Sequence, residues 1–276
     1  MEKLPIVCIT LIFLPALLWA LPARDCALID AASQGRLSEV KQLLNDGADP
    51  NCSGPLGYTP LIKASFIGYF ETARLLLEHG AKVDKADRFG YQAIIAAAFT
   101  GKLALSDLLY HNGANPDAQD NFGFSPLMAA ASSGFTPVVR QLLDWGADME
   151  LRNKVGQTAL HLAAANGRKS SIILLLDHGA DLENVDHNGQ TPLIVAAAQN
   201  EAQGAFEKFS EKALNPEAEG ETEEKESPEE SKQLQVIQVL LQRGAKTGAT
   251  DSVGWSAFHY ARHKPKILQA LRKARK

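Results

Sequence analysis

The sequence predicts an all-α solenoid of helix–turn–helix units joined by β-hairpin tips, about seven units including caps. Three observations predict it. Gly-Ala pairs recur at Gly47, Gly80, Gly113, Gly146, Gly179 and Gly244; the first five are 33 residues apart, and the last gap of 65 is one period plus an insertion of 32. A second glycine series keeps the same beat at Gly57, Gly90, Gly123, Gly156, Gly189 and Gly254. A leucine-rich segment ends before most of the Gly-Ala pairs, as in Ala73-Arg-Leu-Leu-Leu and Ile172-Ile-Leu-Leu-Leu. Self-similarity at one fixed period decides architecture before any single residue does, because each unit buries its apolar faces only against its neighbours.

Each element follows from residue chemistry. Thr59, Thr158 and Thr191 stand where a hydroxyl can accept from the orphan N–H groups of a helix start, and Pro60, Pro126 and Pro192 stand at the first helical turn. The helix that follows is alanine-rich (Ala96-Ala-Ala, Ala129-Ala-Ala, Ala163-Ala-Ala, Ala196-Ala-Ala), so neighbours can approach closely. The leucine segment forms the second helix, closed by a glycine in the left-handed conformation. Asp87, Asp120, Asp186 and Asp251 each lie three residues before a glycine, as a hairpin turn requires.

Gly-Tyr-Thr-Pro-Leu, Gly-Phe-Ser-Pro-Leu, Gly-Gln-Thr-Ala-Leu-His, Gly-Gln-Thr-Pro-Leu and Gly-Trp-Ser-Ala-Phe-His, with the Gly-Ala turns, resemble the ankyrin repeat over about residues 24 to 276. The register places an N-terminal cap at 24–56, full repeats at 57–89, 90–122, 123–155 and 156–188, a sixth at 189–253 and a truncated cap at 254–276. The sixth carries an acidic insertion at 201–232, between an end of its first helix near Asn200 and a second helix resuming near Gln233. With eight Glu and no large aliphatic residue, 217–232 lacks the apolar surface needed to order itself.

The net charge of −4 conceals two opposed blocks. Residues 201–232 hold eleven Glu and four Lys, a net of −7, and the stretch from Arg262 to Lys276 holds seven Lys or Arg and no acid, a net of +7. The remainder is close to neutral and implies no affinity for nucleic acid. Residues 1–23 form a separate segment. A short charged start precedes an uncharged run from Leu4 to Leu21, with Ala20 and Ala23 as cleavage points. Two readings stand: a cleaved signal peptide, or an uncleaved anchor of about 18 apolar residues, in which Pro5 and Pro15 disfavour a helix. Both place the repeats outside the cytoplasm, in the periplasm or as a secreted or membrane-anchored protein. The resemblance to small exported bacterial ankyrin proteins favours the periplasm. Removing the segment leaves Cys26 and Cys52, a candidate disulfide in an oxidising compartment, the alternative being two free thiols. Asn51-Cys-Ser is a formal glycosylation sequon.

The chain carries no phosphate-binding glycine loop, nucleophile elbow or Cys-x-x-Cys pair. His161 and His259 are the motif histidines, which in ankyrin repeats bond neighbouring backbone; His79 and His178 lie three units apart. The expectation is a non-enzymatic monomer without cofactor or metal that binds another protein; the alternative is a membrane-tethered assembly or structural protein held by the uncleaved N-terminal anchor. In the resembling family, partners dock on the concave face of hairpin tips and first helices. Carried over by register, those positions are Leu56 and Tyr58, Phe89 and Tyr91, Phe122 and Phe124 at the tips, with Phe66 and Phe99 on the helix. At the same positions repeats five and six have Val155 and Gln157, Asn188 and Gln190, Ala165 and Ala198. Seven of the chain's 19 aromatics thus fall in repeats two to four at positions expected to be exposed, where aromatic rings anchor interfaces. The alternative is that the rings pack on one another along the hairpin ladder.

Overall fold

In the computed structural model the described residues are 27–198 and 228–275. They form a stack of paired helices: α1 (Ala27–Ser33) and α2 (Leu37–Asn45), α3 (Pro60–Ile67) and α4 (Phe70–Glu78), α5 (Ala93–Phe99) and α6 (Leu103–His111), α7 (Pro126–Ser133) and α8 (Thr136–Asp144), α9 (Ala159–Ala165) and α10 (Lys169–Asp177). The sixth pair is α11 (Pro192–Ala198) and α12 (Pro228–Gln242), and the last is α13 (Ala257–Tyr260) and α14 (Pro265–Ala274).

The predicted caps form. Thr59 Oγ1 accepts from the Ile62 amide at 3.1 Å and Thr191 Oγ1 from the Ile194 amide at 3.4 Å, each ahead of a proline in the first turn, and Ser125 Oγ, not among the expected caps, accepts from the Met128 amide at 3.3 Å. The core repeats with the sequence. Leu61, Ile94, Leu127, Leu160 and Leu193 lie at one first-helix register, and Leu76, Leu109, Leu142, Leu175 and Leu240 at one second-helix register; all are buried. Each such side chain contributes about 1.5–3 kcal/mol. Alanine-rich first helices approach one another more extensively than second helices do.

The tips differ from the expected β-hairpins. Each is one backbone-bonded turn, with Asp87 N donating to Tyr91 O at 3.0 Å, Asp120 N to Phe124 O at 3.1 Å and Asn153 N to Gln157 O at 3.0 Å. Among the described residues the only β-pairing is the isolated bridge between Thr250 and Ser256. The acid three residues before each glycine consumes the groups a strand would use: Asp87 Oδ1 accepts from both the Phe89 and Tyr91 amides at 2.8 Å. A further contact ties units together at the Gly-Ala turns. Asn51 Oδ1 accepts from the Lys82 amide at 2.7 Å, Asp117 Oδ1 from Asp148 at 2.8 Å, Glu150 Oε1 from Asp181 at 3.0 Å and Glu183 Oε1 from Lys246 at 2.8 Å. Asn51 Nδ2 also donates to Gly80 O at 2.9 Å, so the sequon's amide is engaged in the stack.

The second helix of the sixth unit begins at Pro228, five residues before the expected Gln233, so the end of the acidic insertion is helical. Pro228-Glu-Glu opens it with residue types that suit a first turn. The rest of the insertion, the segment at 1–23 and Cys26 lie outside the described residues. No helix among the described residues is long and apolar enough to cross a membrane. Cys52 is disulfide-bonded; the chain's other two cysteines, Cys8 and Cys26, lie outside the described residues.

Candidate protein-binding site

The tips form a hydrogen-bonded row. Arg88 N donates to Leu56 O at 3.0 Å, Asn121 N to Phe89 O at 2.7 Å, Lys154 N to Phe122 O at 2.9 Å, His187 N to Val155 O at 3.0 Å and Ser252 N to Asn188 O at 2.8 Å. Asn121 Nδ2 adds a second bond to Arg88 O at 2.9 Å. The residue before each opening glycine is therefore fixed relative to its neighbours, and from the second tip onward it projects outward. Phe89, Phe122 and Val155 are each 43% exposed, an apolar ridge held on a rigid backbone.

The eight residues expected at this face divide. Phe89 and Phe122 are exposed, while Leu56, Phe66, Phe99, Tyr91 and Phe124 are half-buried and Tyr58 is buried at 9%. The expectation that all seven aromatics stand exposed is thus corrected. Tyr58 belongs to the core of the first units, Tyr91 packs against it, and Phe124 packs against the core of the later units. The tip acid accepts from the amides on both sides of the glycine, so the rings divide by position: the one after the glycine packs on the core and the one before it stands in water. Phe66 and Phe99 stack with ring centroids 6.4 Å apart, so on the first helices the rings do pack on one another.

Beneath the ridge lies a cluster that sequence register did not single out. Lys63 Nζ sits 4.0 Å from the centroid of the Tyr58 ring, a cation–π contact. Burial lowers the Lys63 pKa, and the Asp87 charge opposes that shift. Burial raises the pKa of Asp87 against the backbone bonds from Tyr91 and Phe89 that favour its ionised form, and Asp120 is raised in the same way. Tyr58 and Tyr91 are pushed up by burial and by the nearby carboxylates. Asp87 Oδ2 is buried without a hydrogen-bond partner. The detectable signal was Lys63 itself, where the following units have Ala96, Ala129 and Leu162.

The histidines have structural roles. His161 Nδ1 accepts from the Thr158 amide at 3.3 Å, so Nε2 carries the proton and donates to Gln190 O of the next unit at 3.0 Å. Burial lowers its pKa, which suits this neutral ring. His79 and His178 donate through Nδ1 to the carbonyls of Leu75 and Leu174 at 2.9 and 2.8 Å, closing their helices. His259 stacks on Trp255 with centroids 4.0 Å apart. Among the described residues no cluster of His, Cys, Asp or Glu could hold a metal ion.

A second apolar row was also missed. Leu37, Phe70, Leu103 and Phe135 are 37–41% exposed at the turns joining the two helices of the first four units, the edge opposite the tips. Beside it lies a shallow open depression lined by Leu103, Pro137, Arg140, Gln141, Asp144 and Trp145, with the Trp145 indole stacked on Tyr110 at 4.1 Å. The signal was the 33-residue spacing of the first three. Phe135 serves partly as structure, since it lies across Gly101, where an added Cβ would come within 2.4 Å of the ring.

Residues 28–120, 94–186 and 127–216 match a family model described as ankyrin repeats in three copies. The chain is similar to the crystal structure of the human ASB11 ankyrin repeat domain, with 25% identity and a TM-score of 0.73 over 90% of this chain and 97% of that one. No curated protein matches this sequence.

Proposed function

The chain belongs to the ankyrin-repeat family, whose members mediate protein–protein interaction, and from that premise we propose that it is an exported, non-enzymatic scaffold that docks a partner protein on the tip ridge of repeats two to four. The observation that carries the reading is the pair Phe89 and Phe122, each 43% exposed on tips joined by backbone hydrogen bonds. A stable fold gains nothing from leaving two rings in water on a rigid platform, whereas an interface gains preorganised anchors. Leu56, Tyr58, Phe66, Tyr91, Phe99 and Phe124 form the floor that supports them. Export is supported by the apolar segment 4–21 and by the disulfide at Cys52, which suits an oxidising compartment.

The test is site-specific photo-cross-linking in the cell of origin, with a benzophenone side chain at position 89 or 122 and, for comparison, at 37 or 103 on the opposite edge. One discrete adduct from 89 and 122, lost in a Phe89→Ser, Phe122→Ser background probed from position 155, is the expected result. Adducts only from positions 37 and 103 would move the interface to the other edge.

A further inference from the structure

In units two to six the acidic residues of this protein are segregated by face. The first helices α3, α5, α7, α9 and α11 contain no Asp or Glu. The tips carry acids only at their turn-capping positions, where Asp87, Asp186 and Asp251 are buried with Oδ1 on backbone amides. Asp120, more open, is committed the same way, to the Phe122 and Phe124 amides at 2.8 Å. In units two to six the remaining ionic side chains on this face are Lys63, Arg88, Arg152 and Lys154, all cationic, and Arg88 and Lys154 are exposed beside Phe89 and Val155, while α1 of the first unit carries the exposed Asp30. The acids of the same units lie elsewhere: Glu71, Glu78, Asp107, Asp144 and Asp177 on second helices, and Asp117, Asp148, Glu150, Asp181 and Glu183 at the Gly-Ala turns. A chain of net charge −4 thus presents a tip and first-helix face whose uncommitted charges in units two to six are cationic, while its other surfaces carry both signs.

Resting on the docking face proposed above, we infer that the partner segment is acidic and apolar: two carboxylates meeting Arg88 and Lys154, with an apolar side chain between them on Phe122. The spacing follows from the stack. Arg88, Asn121 and Lys154 occupy successive tips. With about 8–10 Å between packed helices, the two cations are about 16–20 Å apart, which an extended partner covers in about five or six residues. Complementary charge steers encounter and selects partners more than it adds affinity, and it is screened by salt. The rings hold and the cations choose.

The experiment measures fluorescence anisotropy of the full chain with labelled synthetic peptides. The probe carries two Glu six positions apart with Leu and Phe between them, and the comparisons replace both Glu by Gln or by Lys. At 50 mM NaCl the Glu peptide should bind at least about tenfold more tightly than the Gln peptide, the Lys peptide should not bind, and the preference should shrink at 300 mM. Arg88→Glu with Lys154→Glu should invert the order. Arg88→Gln with Lys154→Gln, which adds no repulsion within the stack, should level it. Equal binding of the Glu and Gln peptides, both lost in Phe89→Ser, Phe122→Ser, would overturn the acidic-partner inference and leave the docking face standing. Binding by none of the peptides would also overturn the inference, while the cross-linking result judges the docking face separately.

Discussion

Gly90 and Gly113 share a left-handed conformation but not a neighbourhood, and replacing each by alanine separates backbone strain from stack geometry. Gly90 has φ +76° and Gly113 φ +90°. A side chain there costs about 1–2 kcal/mol through its Cβ, offset by about 0.4–1 kcal/mol from the stiffened unfolded chain. Nothing lies within 4 Å of a Cβ at position 113, so Gly113→Ala should cost only about 0.5–1 kcal/mol. At position 90 the Cβ would stand 2.7 Å from both the amide nitrogen and Oδ1 of Asn121. That tip must move away, stretching the Asn121 bonds to Phe89 O and Arg88 O, each worth about 0.5–1.5 kcal/mol net. Gly90→Ala should therefore cost about 2–4 kcal/mol. Urea unfolding followed by far-ultraviolet circular dichroism reads the difference: with a slope of about 2 kcal/mol/M, the midpoint should fall by about 1–2 M for Gly90→Ala and by less than about 0.5 M for Gly113→Ala. Equal midpoints would refute the account of the tips as a rigid, mutually bonded row.

Four further outcomes are expected. Tyr58→Ser should destabilise the fold by about 3 kcal/mol, in the range of buried aromatic truncations, whereas Phe122→Ser should cost under about 1 kcal/mol; calorimetric unfolding of both variants checks the division into floor and ridge. Burial raises the Asp87 pKa above its unfolded value, so the fold penalises the ionised form fully above the folded-state pKa and less as pH falls through it toward about 3.9. Asp87→Asn, the residue type found at Asn153, should therefore lose its stability advantage over the wild type as pH drops from 7 to 4, and parallel pH–stability curves would contradict this. Non-reducing peptide mapping of protein from its native compartment should recover Cys52 joined to Cys26, and alkylation of both thiols would rule that out. Deleting residues 201–226, which spares the helix beginning at Pro228, should leave the unfolding temperature within about 2 °C and strengthen low-salt binding of anionic vesicles to the basic C-terminal cap; unchanged vesicle binding at every salt concentration would make the insertion an inert spacer.

Much of this architecture was legible because its period is written in glycines. Thr59 and Pro60 announced a helix start, and Asp87 and Asp120 announced turns, through interactions completed within a few residues. The register failed where orientation is set across units. Tyr58 and Phe89 both flank a tip glycine, yet one faces the core and the other water, a difference that neither residue type nor the 33-residue period carries. Lys63 escaped notice for a related reason: its setting is made by Tyr58 and by Asp87 of the next tip, and no local pattern marks a lysine that lies over a ring. The early start of the helix at Pro228 was readable in Pro-Glu-Glu but was overruled by the acidic composition around it.

The bonds at the Gly-Ala turns give the stack a direction. In each of the four, the side chain belongs to the earlier unit and the amide to the later one, from Asn51 to Lys82 and onward to Glu183 and Lys246. Removing a later unit frees a side-chain oxygen, which water satisfies readily. Removing an earlier unit strips a backbone amide of its acceptor and opens the face behind it. Either loss exposes one half of the same bond to water, so the direction lies in which unit supplies the acceptor. A chain emerging from the ribosome finds each new unit met by a neighbour already able to receive it, so synthesis and assembly run the same way.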